Sequence, residues 1–124
     1  MNHLELHIDG GRTAFQPGEE ISGRATWDLE DTPKQVELRL SWATVGRGTE
    51  DVEAVEVIPL GTSMRSDSAP FRFRLPLQPY AFAGKLIALQ WVLELVVLPL
   101  NKASGVQLVI SPTREPIVLH EVAV

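Results

Sequence analysis

The three histidines of the chain are its first candidates for metal binding. His3 and His7 share one face of an alternating segment, with Glu5 between them. In an extended strand these two histidines would lie ~13 Å apart, too far to bind one zinc ion at ~2.1 Å from each nitrogen. His120 precedes Glu121 but has no second histidine at the metalloprotease spacing. We therefore predict no metal and no cofactor.

The sequence contains no clear motif for nucleophilic catalysis or for a phosphate-binding loop. The chain has no cysteine, which excludes disulfides and thiolate nucleophiles. No serine lies in the Gly-x-Ser-x-Gly turn of hydrolases. Gly46-Arg47-Gly48 begins like a phosphate loop, but Asp51 stands where the last glycine belongs, so we interpret it as a hairpin turn. We predict that the chain is not an enzyme.

Four arginines fall at outward positions of predicted strands, and they are Arg24, Arg39, Arg72 and Arg74. If their strands share a sheet, they would form a basic face for an acidic partner or a lipid head group. The alternative is that they pair with carboxylates across the strands, Glu37 among them. The sequence leaves peripheral contact with a membrane open.

Tyr80 and Phe82 are the candidates for ligand binding. They lie between Pro79 and Gly84, and exposed aromatic rings at this position would suit a small ligand or a carbohydrate in a sandwich cleft. The alternative is that both rings pack over the end of the sandwich.

Composition limits the class of protein. The 124 residues suit a single domain, 1–124, with 44% hydrophobic and 22% charged residues. A net charge of −5 makes nucleic acid an unfavourable partner. The most apolar stretch, Leu86 to Leu98, is shorter than the ~20 residues of a membrane helix. The first residues lack a signal peptide's pattern, and we expect a cytoplasmic protein.

Alternating apolar and polar residues between turn signals predict the strands that must position these side chains. The predicted strands are His3–Asp9, Ile21–Trp27, Gln35–Val45, Asp51–Leu60, Phe71–Leu75, Leu86–Leu98, Val106–Ile110 and Ile117–Val122. Gly61–Pro70 and Asn101–Gly105 are expected as loop and turn. Residues 86–98 are interpreted as a strand because they are rich in β-branched residues, with a helix as the alternative.

About eight strands with tryptophans on inward faces predict an all-β fold, a two-sheet antiparallel, immunoglobulin-like β-sandwich with no major helix. Trp27, Trp42 and Trp91 are expected to anchor its core. Val55 and Val57 are expected on an apolar face of the fourth strand. On the third strand, Glu37 and Ser41 are expected to face outward.

Several stretches together resemble the arrestin-like superfamily, which includes retromer subunits and bacterial sporulation-control proteins. Pro17-Gly18-Glu19, followed by a hydrophobic residue and Gly23, is similar to the family's turn into an early strand. Phe71–Pro76 resembles its Phe-x-Phe-x-Leu-Pro strand, and Tyr80–Gly84 resembles its aromatic turn. With Lys34–Trp42 and Lys85–Leu95, the matches cover roughly Phe15 to Val97.

The resemblance implies one arrestin-like sandwich and, by analogy, a role in interactions. Arrestins have two such sandwiches and this chain has room for one, so no ligand or functional residue is transferred. We predict a non-catalytic protein-interaction module, an adaptor or an assembly subunit, that binds a partner protein or itself. The first and last predicted strands are the expected edges for strand pairing. Small-ligand or carbohydrate binding is the alternative.

Overall fold

The chain is described by a computed structural model that covers residues 2–46, 49–61, 64–83, 87–99 and 102–118. The strands are β1 His3–Ile8, β2 Ala14–Phe15, β3 Glu20–Asp28, β4 Gln35–Gly46, β5 Thr49–Pro59, β6 Ser66–Arg74, β7 Phe82–Ala83, β8 Ile87–Leu98, β9 Lys102–Ile110 and β10 Ile117–Val118. A short 3-10 turn, Asp9–Gly11, follows β1.

The strands form two sheets. The smaller sheet has the order β1-β3-β6 and is antiparallel throughout. The larger sheet has the order β10-β7-β8-β4-β5, with β9 also on β8 and β2 on β9. Its long pairings are antiparallel, and the parallel pairings β2–β9 and β7–β10 span two residues each. The predicted all-β, two-sheet sandwich is confirmed.

Strand β8 settles the one ambiguous segment. Ile87–Leu98 is a continuous twelve-residue strand, so the strand interpretation is confirmed and the helix alternative is wrong. It pairs with β4 along its whole length, from Gly46↔Ile87 to Gln35↔Leu98. Gln90 and Glu94 therefore share a face because the strand repeats every two residues.

The core lies between the sheets. In β3 the inward residues Ile21, Ala25 and Trp27 are fully buried, as the alternation predicts. Trp91 is equally buried on β8. Each buried indole N–H has a partner, because Trp27 Nε1 donates to the carbonyl of Met64 at 3.1 Å and Trp91 Nε1 to the carbonyl of Pro79 at 2.9 Å.

The sequence predicts too much burial for three residues, Trp42, Val55 and Val57. Trp42 packs against the core but is only half-buried. Val55 and Val57 are exposed at 41% and 47%. Trp42 lies on the core-facing side of β4, but Val57 lies opposite Arg39 on the outer side of the larger sheet, and Val55 is skipped in the pairing of β5 with β4. Alternation alone does not show which face of β5 the smaller sheet covers.

The expected outer face of β4 is also partly wrong. Glu37 and Ser41 are buried, at 4% and 7% exposure. β4 is a central strand with β5 on one side and β8 on the other, and Val96, itself buried, lies directly opposite Glu37. Neighbouring side chains on the same face therefore cover positions that a single strand pattern assigns to solvent.

The expected loop at 61–70 and the expected turn at 101–105 are shorter than predicted. Ser66–Pro70 form the first half of β6 and pair with Arg24–Asp28 of β3. Lys102–Gly105 belong to β9 and pair with β8. These residues have low strand propensity, and pairing with an existing strand overrides it. Of the predicted strand Ile117–Val122, residues 119–122 lie outside the described residues, as do residues 47 and 48 of the predicted hairpin turn.

Candidate interaction surfaces

The outer face of β1 carries the His3, Glu5 and His7 cluster. His3 Nε2 lies 2.9 Å from Glu5 Oε1 and His7 Nε2 lies 3.2 Å from Glu5 Oε2. Hydrogen bonds from His3 and His7 hold the pKa of Glu5 below its ordinary value. The two histidines thus contact opposite oxygens of one carboxylate. Across the described ranges, no group of three or more His, Asp or Glu side chains is placed to hold a metal ion.

The outer face of the smaller sheet brings three of the four predicted arginines together. Arg24 lies on β3, and Arg72 and Arg74 lie on β6 opposite Ser22 and Glu20. Arg24 Nη1 donates to Ser68 Oγ at 3.0 Å, and Arg72 Nε lies 3.4 Å from Glu20 Oε1. The outer face of the smaller sheet therefore carries both arginines and carboxylates.

Arg39 is not part of that face. It lies on β4 of the larger sheet and is bound to the buried carboxylate of Glu37, with both nitrogen–oxygen distances at 3.3 Å. Its guanidinium is only partly exposed. The same alternation that predicted four outward arginines could not assign them to sheets, because strand order depends on long-range pairing.

In the Pro17-Gly18-Glu19 turn, both the glycine and the glutamate have a structural role. Gly18 has a φ of 77°, which is favourable for glycine and strained for other residues. Glu19 Oε1 accepts a hydrogen bond from the amide of Gln16 at 2.9 Å, and Glu19 Oε2 lies 2.5 Å from Arg12 Nη2. Glu19 is therefore a structural residue of the turn.

Further contacts make Glu19 a junction between segments. Arg114 Nη2 lies 3.7 Å from Glu19 Oε1, and Arg12 stacks over Phe15 at 4.5 Å from the ring centre. The Gln16 amide, followed by the Arg12 guanidinium, holds the pKa of Glu19 below its ordinary value. The carboxylate thus joins the turn, the segment after β1 and the segment after β9.

The ligand-binding candidates do not line the cavity that the structure shows. Tyr80 is 40% exposed, and Phe82 is half-buried against the core. A cavity of about 190 Å³ lies elsewhere, lined by Leu6, His7, Ile8, Gly11, Arg12, Thr13 and Val106. That volume falls below the roughly 300–1,000 Å³ of ordinary small-molecule sites, so it does not favour the ligand-binding alternative.

The exposed edge of the larger sheet is a surface that sequence reasoning missed. β5 is the end strand of that sheet, and every residue from Asp51 to Val57 is exposed. The available signal was the combination of alternating acidic and small apolar residues in 51–57, which suits a strand covered on neither face. β1 and β10 are also terminal strands of their sheets, as predicted.

The two sheets form a β-sandwich of the arrestin-like fold. The chain is similar to Spo0M, a sporulation control protein from Bacillus subtilis, with a TM-score of 0.67 and 17% sequence identity. The similarity covers 89% of this chain and 49% of Spo0M, so the chain spans about half of the length of Spo0M. At this identity the comparison shows the fold.

The other comparisons add no family. A β-glucosidase from Listeria innocua, solved with gluconolactone, aligns at a TM-score of 0.41 and 12% identity, over 96% of this chain and 16% of the enzyme. A score this low does not establish a shared fold. No protein-family profile matches the chain, and no curated protein sequence matches it. Within the described part of the chain, no helix is long and apolar enough to cross a membrane.

Proposed function

We propose that this chain is a non-catalytic protein-interaction module, acting as an adaptor or as a subunit of an assembly through its sheet edges. The observation that carries the proposal is the open edge at β5, an eleven-residue terminal strand exposed throughout 51–57. Unpaired backbone groups along such an edge are a template for pairing with another chain.

The side chains that resemble catalytic groups support the non-catalytic part of the proposal. Glu19 is bound to Arg12 and to the Gln16 amide, and Glu37 is bound to Arg39. The hydroxyl of Ser111, which is buried, donates to the carbonyl of Glu115. Each of these groups therefore has a structural role in the fold.

The similarity to a sporulation control protein agrees with a regulatory or interaction role. The arginine face formed by Arg24, Arg72 and Arg74 is a second candidate contact surface, for an acidic partner. The cytoplasmic location expected from the sequence is part of this proposal, as is a protein partner rather than a nucleic acid.

The test is affinity purification of the tagged chain from its native lysate, combined with light scattering on the eluted protein. We expect a stoichiometric partner protein or a defined oligomer. An R72A/R74A variant, which leaves β5 unchanged, separates binding through the arginine face from binding through an edge. A monomer that elutes alone under native conditions would contradict the proposed function.

A further inference from the structure

The two faces of β5 differ in chemistry. Residues directly opposite in a ladder share a face, and Asp51, Glu53 and Glu56 lie opposite Thr44, Trp42 and Leu40 of β4. The carboxylates therefore lie on the same side of the sheet as the buried Leu40, and all three are exposed.

The other face of β5 is apolar. Val52, Ala54 and Val57 lie opposite Ala43, Ser41 and Arg39, and Val52 and Val57 are 65% and 47% exposed. The pairing shifts between Leu40 and Ser41, which leaves Val55 as the extra residue of a bulge. Carboxylates and small apolar side chains thus separate onto opposite faces on both sides of the bulge.

The backbone groups of the apolar residues point away from the sheet. The amide of Leu60 donates to the carbonyl of Val36 at 2.8 Å, and backbone direction alternates along an antiparallel strand. The backbone N–H and C=O groups of every second β4 residue, counted from Val36, therefore point towards β5. The β5 residues opposite the later positions of this series are Ile58, Glu56, Glu53 and Asp51, and their backbone groups point back towards β4. The intervening Val52, Ala54 and Val57 aim their backbone groups outward.

Pro59 fits this assignment. It lies opposite Glu37, in the same phase of the ladder as Val57, so its missing N–H falls on the outward side. Proline is accepted in sheets at such edge positions, since no hydrogen bond within the sheet is lost there.

We propose that β5 binds an extended segment of a partner protein in which Lys or Arg alternates with β-branched residues. Alternate side chains of an added strand fall on opposite faces. The basic side chains would meet Asp51, Glu53 and Glu56, and the apolar ones would extend the row of Val52, Ala54 and Val57. This inference rests on the proposed function and names the chemistry of the partner.

Charge favours a basic segment of a partner protein over a second copy of this chain at β5. The three carboxylates form no ion pair within the part of the chain that the structure describes. Two antiparallel β5 strands would bring carboxylates of the same sign onto one face, which is unfavourable. The net charge of −5 opposes self-association further.

The test is calorimetric titration of the full chain, at low ionic strength, with an acetylated peptide of four Lys-Val repeats. We expect saturable binding that weakens as salt is added. A peptide of four Glu-Val repeats, and one of the same Lys and Val content arranged in two blocks, are the controls. Equal binding of the blocked peptide would show attraction without strand pairing and would overturn the inference.

Three variants locate the binding. E53K/E56K is expected to weaken the Lys-Val peptide about tenfold or more, from two lost ion pairs that become repulsive. D31K/E115K makes the same change in net charge at exposed positions away from β5 and is expected to bind as the parent does. Val57→Pro removes an outward N–H without removing a bond to β4 and is expected to abolish binding, with the parent's circular dichroism spectrum retained.

The outcomes separate this inference from the proposed function. If E53K/E56K and the parent bind the peptide equally, or if the chain forms a dimer that E53K/E56K disrupts, the proposed occupant is wrong. If a native partner is retained by both E53K/E56K and Val57→Pro, the inference fails while the interaction module stands. If the parent binds neither partner nor peptide, the proposed function fails with it.

Discussion

Gly23 of β3 lies directly against the backbone of His7 in β1, so closely that a Cβ at position 23 would be 2.0 Å from the His7 carbonyl oxygen. The ring of Phe71 closes the other side, with its Cζ 2.7 Å from the same point. Gly23 thus permits the three strands of the smaller sheet to pack at this level. A glycine inside a strand is typical of such a close backbone approach.

Gly23→Ala is expected to destabilise the fold by about 2–3 kcal/mol, because the obstacle is backbone and cannot rotate away. Gly105→Ala is the matched control. Its new Cβ would lie 3.3 Å from side-chain atoms of Glu94 and Val92 and 3.8 Å from the Leu93 carbonyl oxygen, an ordinary contact distance, so a change within about 0.5 kcal/mol is expected. Urea unfolding followed by tryptophan fluorescence measures both, and equal midpoints would show that the close approach is not needed.

Glu19→Gln is expected to remove an acid-sensitive part of the stability. A carboxylate with a lowered pKa stabilises the folded state above the pKa it has when unfolded, and this contribution is lost as the pH falls through the folded pKa. The parent should therefore lose more stability than the variant between about pH 5 and pH 2. Thermal unfolding across this range measures the difference.

Glu20→Gln is the control for that experiment. Its pair with Arg72 spans 3.4 Å between side chains that are mostly exposed, and such pairs contribute roughly 0–1 kcal/mol. If Glu19→Gln and Glu20→Gln give the same pH dependence, Glu19 is not the junction that the contacts indicate.

Arg39→Ala is expected to destabilise the chain more than Arg72→Ala. Removing Arg39 leaves the buried carboxylate of Glu37 without its cation, at a cost of about 1–2 kcal/mol because the Arg39 side chain is 36% exposed. Arg72→Ala should change stability by less than about 0.5 kcal/mol. Chemical denaturation of the two variants distinguishes a structural arginine from a surface one, and the reverse order would contradict the placement of Arg39.

Trp91→Phe is expected to cost about 2–3 kcal/mol, since it opens a void in the core and leaves the Pro79 carbonyl without its indole donor. Trp42→Phe should cost less than about 1.5 kcal/mol because Trp42 is half-buried. Denaturation midpoints measure both substitutions. Similar costs would mean that Trp42 is as much a core residue as the sequence suggested.

The sequence predicts those parts of the structure that depend on local pattern. The alternation in β1 and β3, the turn at Gly18 and the sandwich class follow from the spacing of apolar residues and glycine. The extent of burial does not follow, as Trp42 and Glu37 show in opposite directions. Burial depends on which strands are neighbours and on how far the opposite sheet reaches, and both are set by contacts between residues distant in sequence.

The candidate surfaces, too, follow only in part from the local sequence pattern. Outward positions for the arginines could be read from alternation, but their assignment to sheets could not, so Arg39 separates from Arg24, Arg72 and Arg74. The edge at β5 was missed because an end strand and a central strand carry similar patterns when both are long. Only the pairing of β5 with β4 shows that its three carboxylates share one face.

The two sheets end at different strands, which affects how many partner strands one chain can bind. β1 terminates the smaller sheet and β5 terminates the larger one, so the two edges share no hydrogen-bonding groups. A strand added at one edge leaves the backbone groups of the other unsatisfied and available. If both β1 and β5 accept a strand, two tethered strands of one partner would bind with an avidity beyond that of either alone.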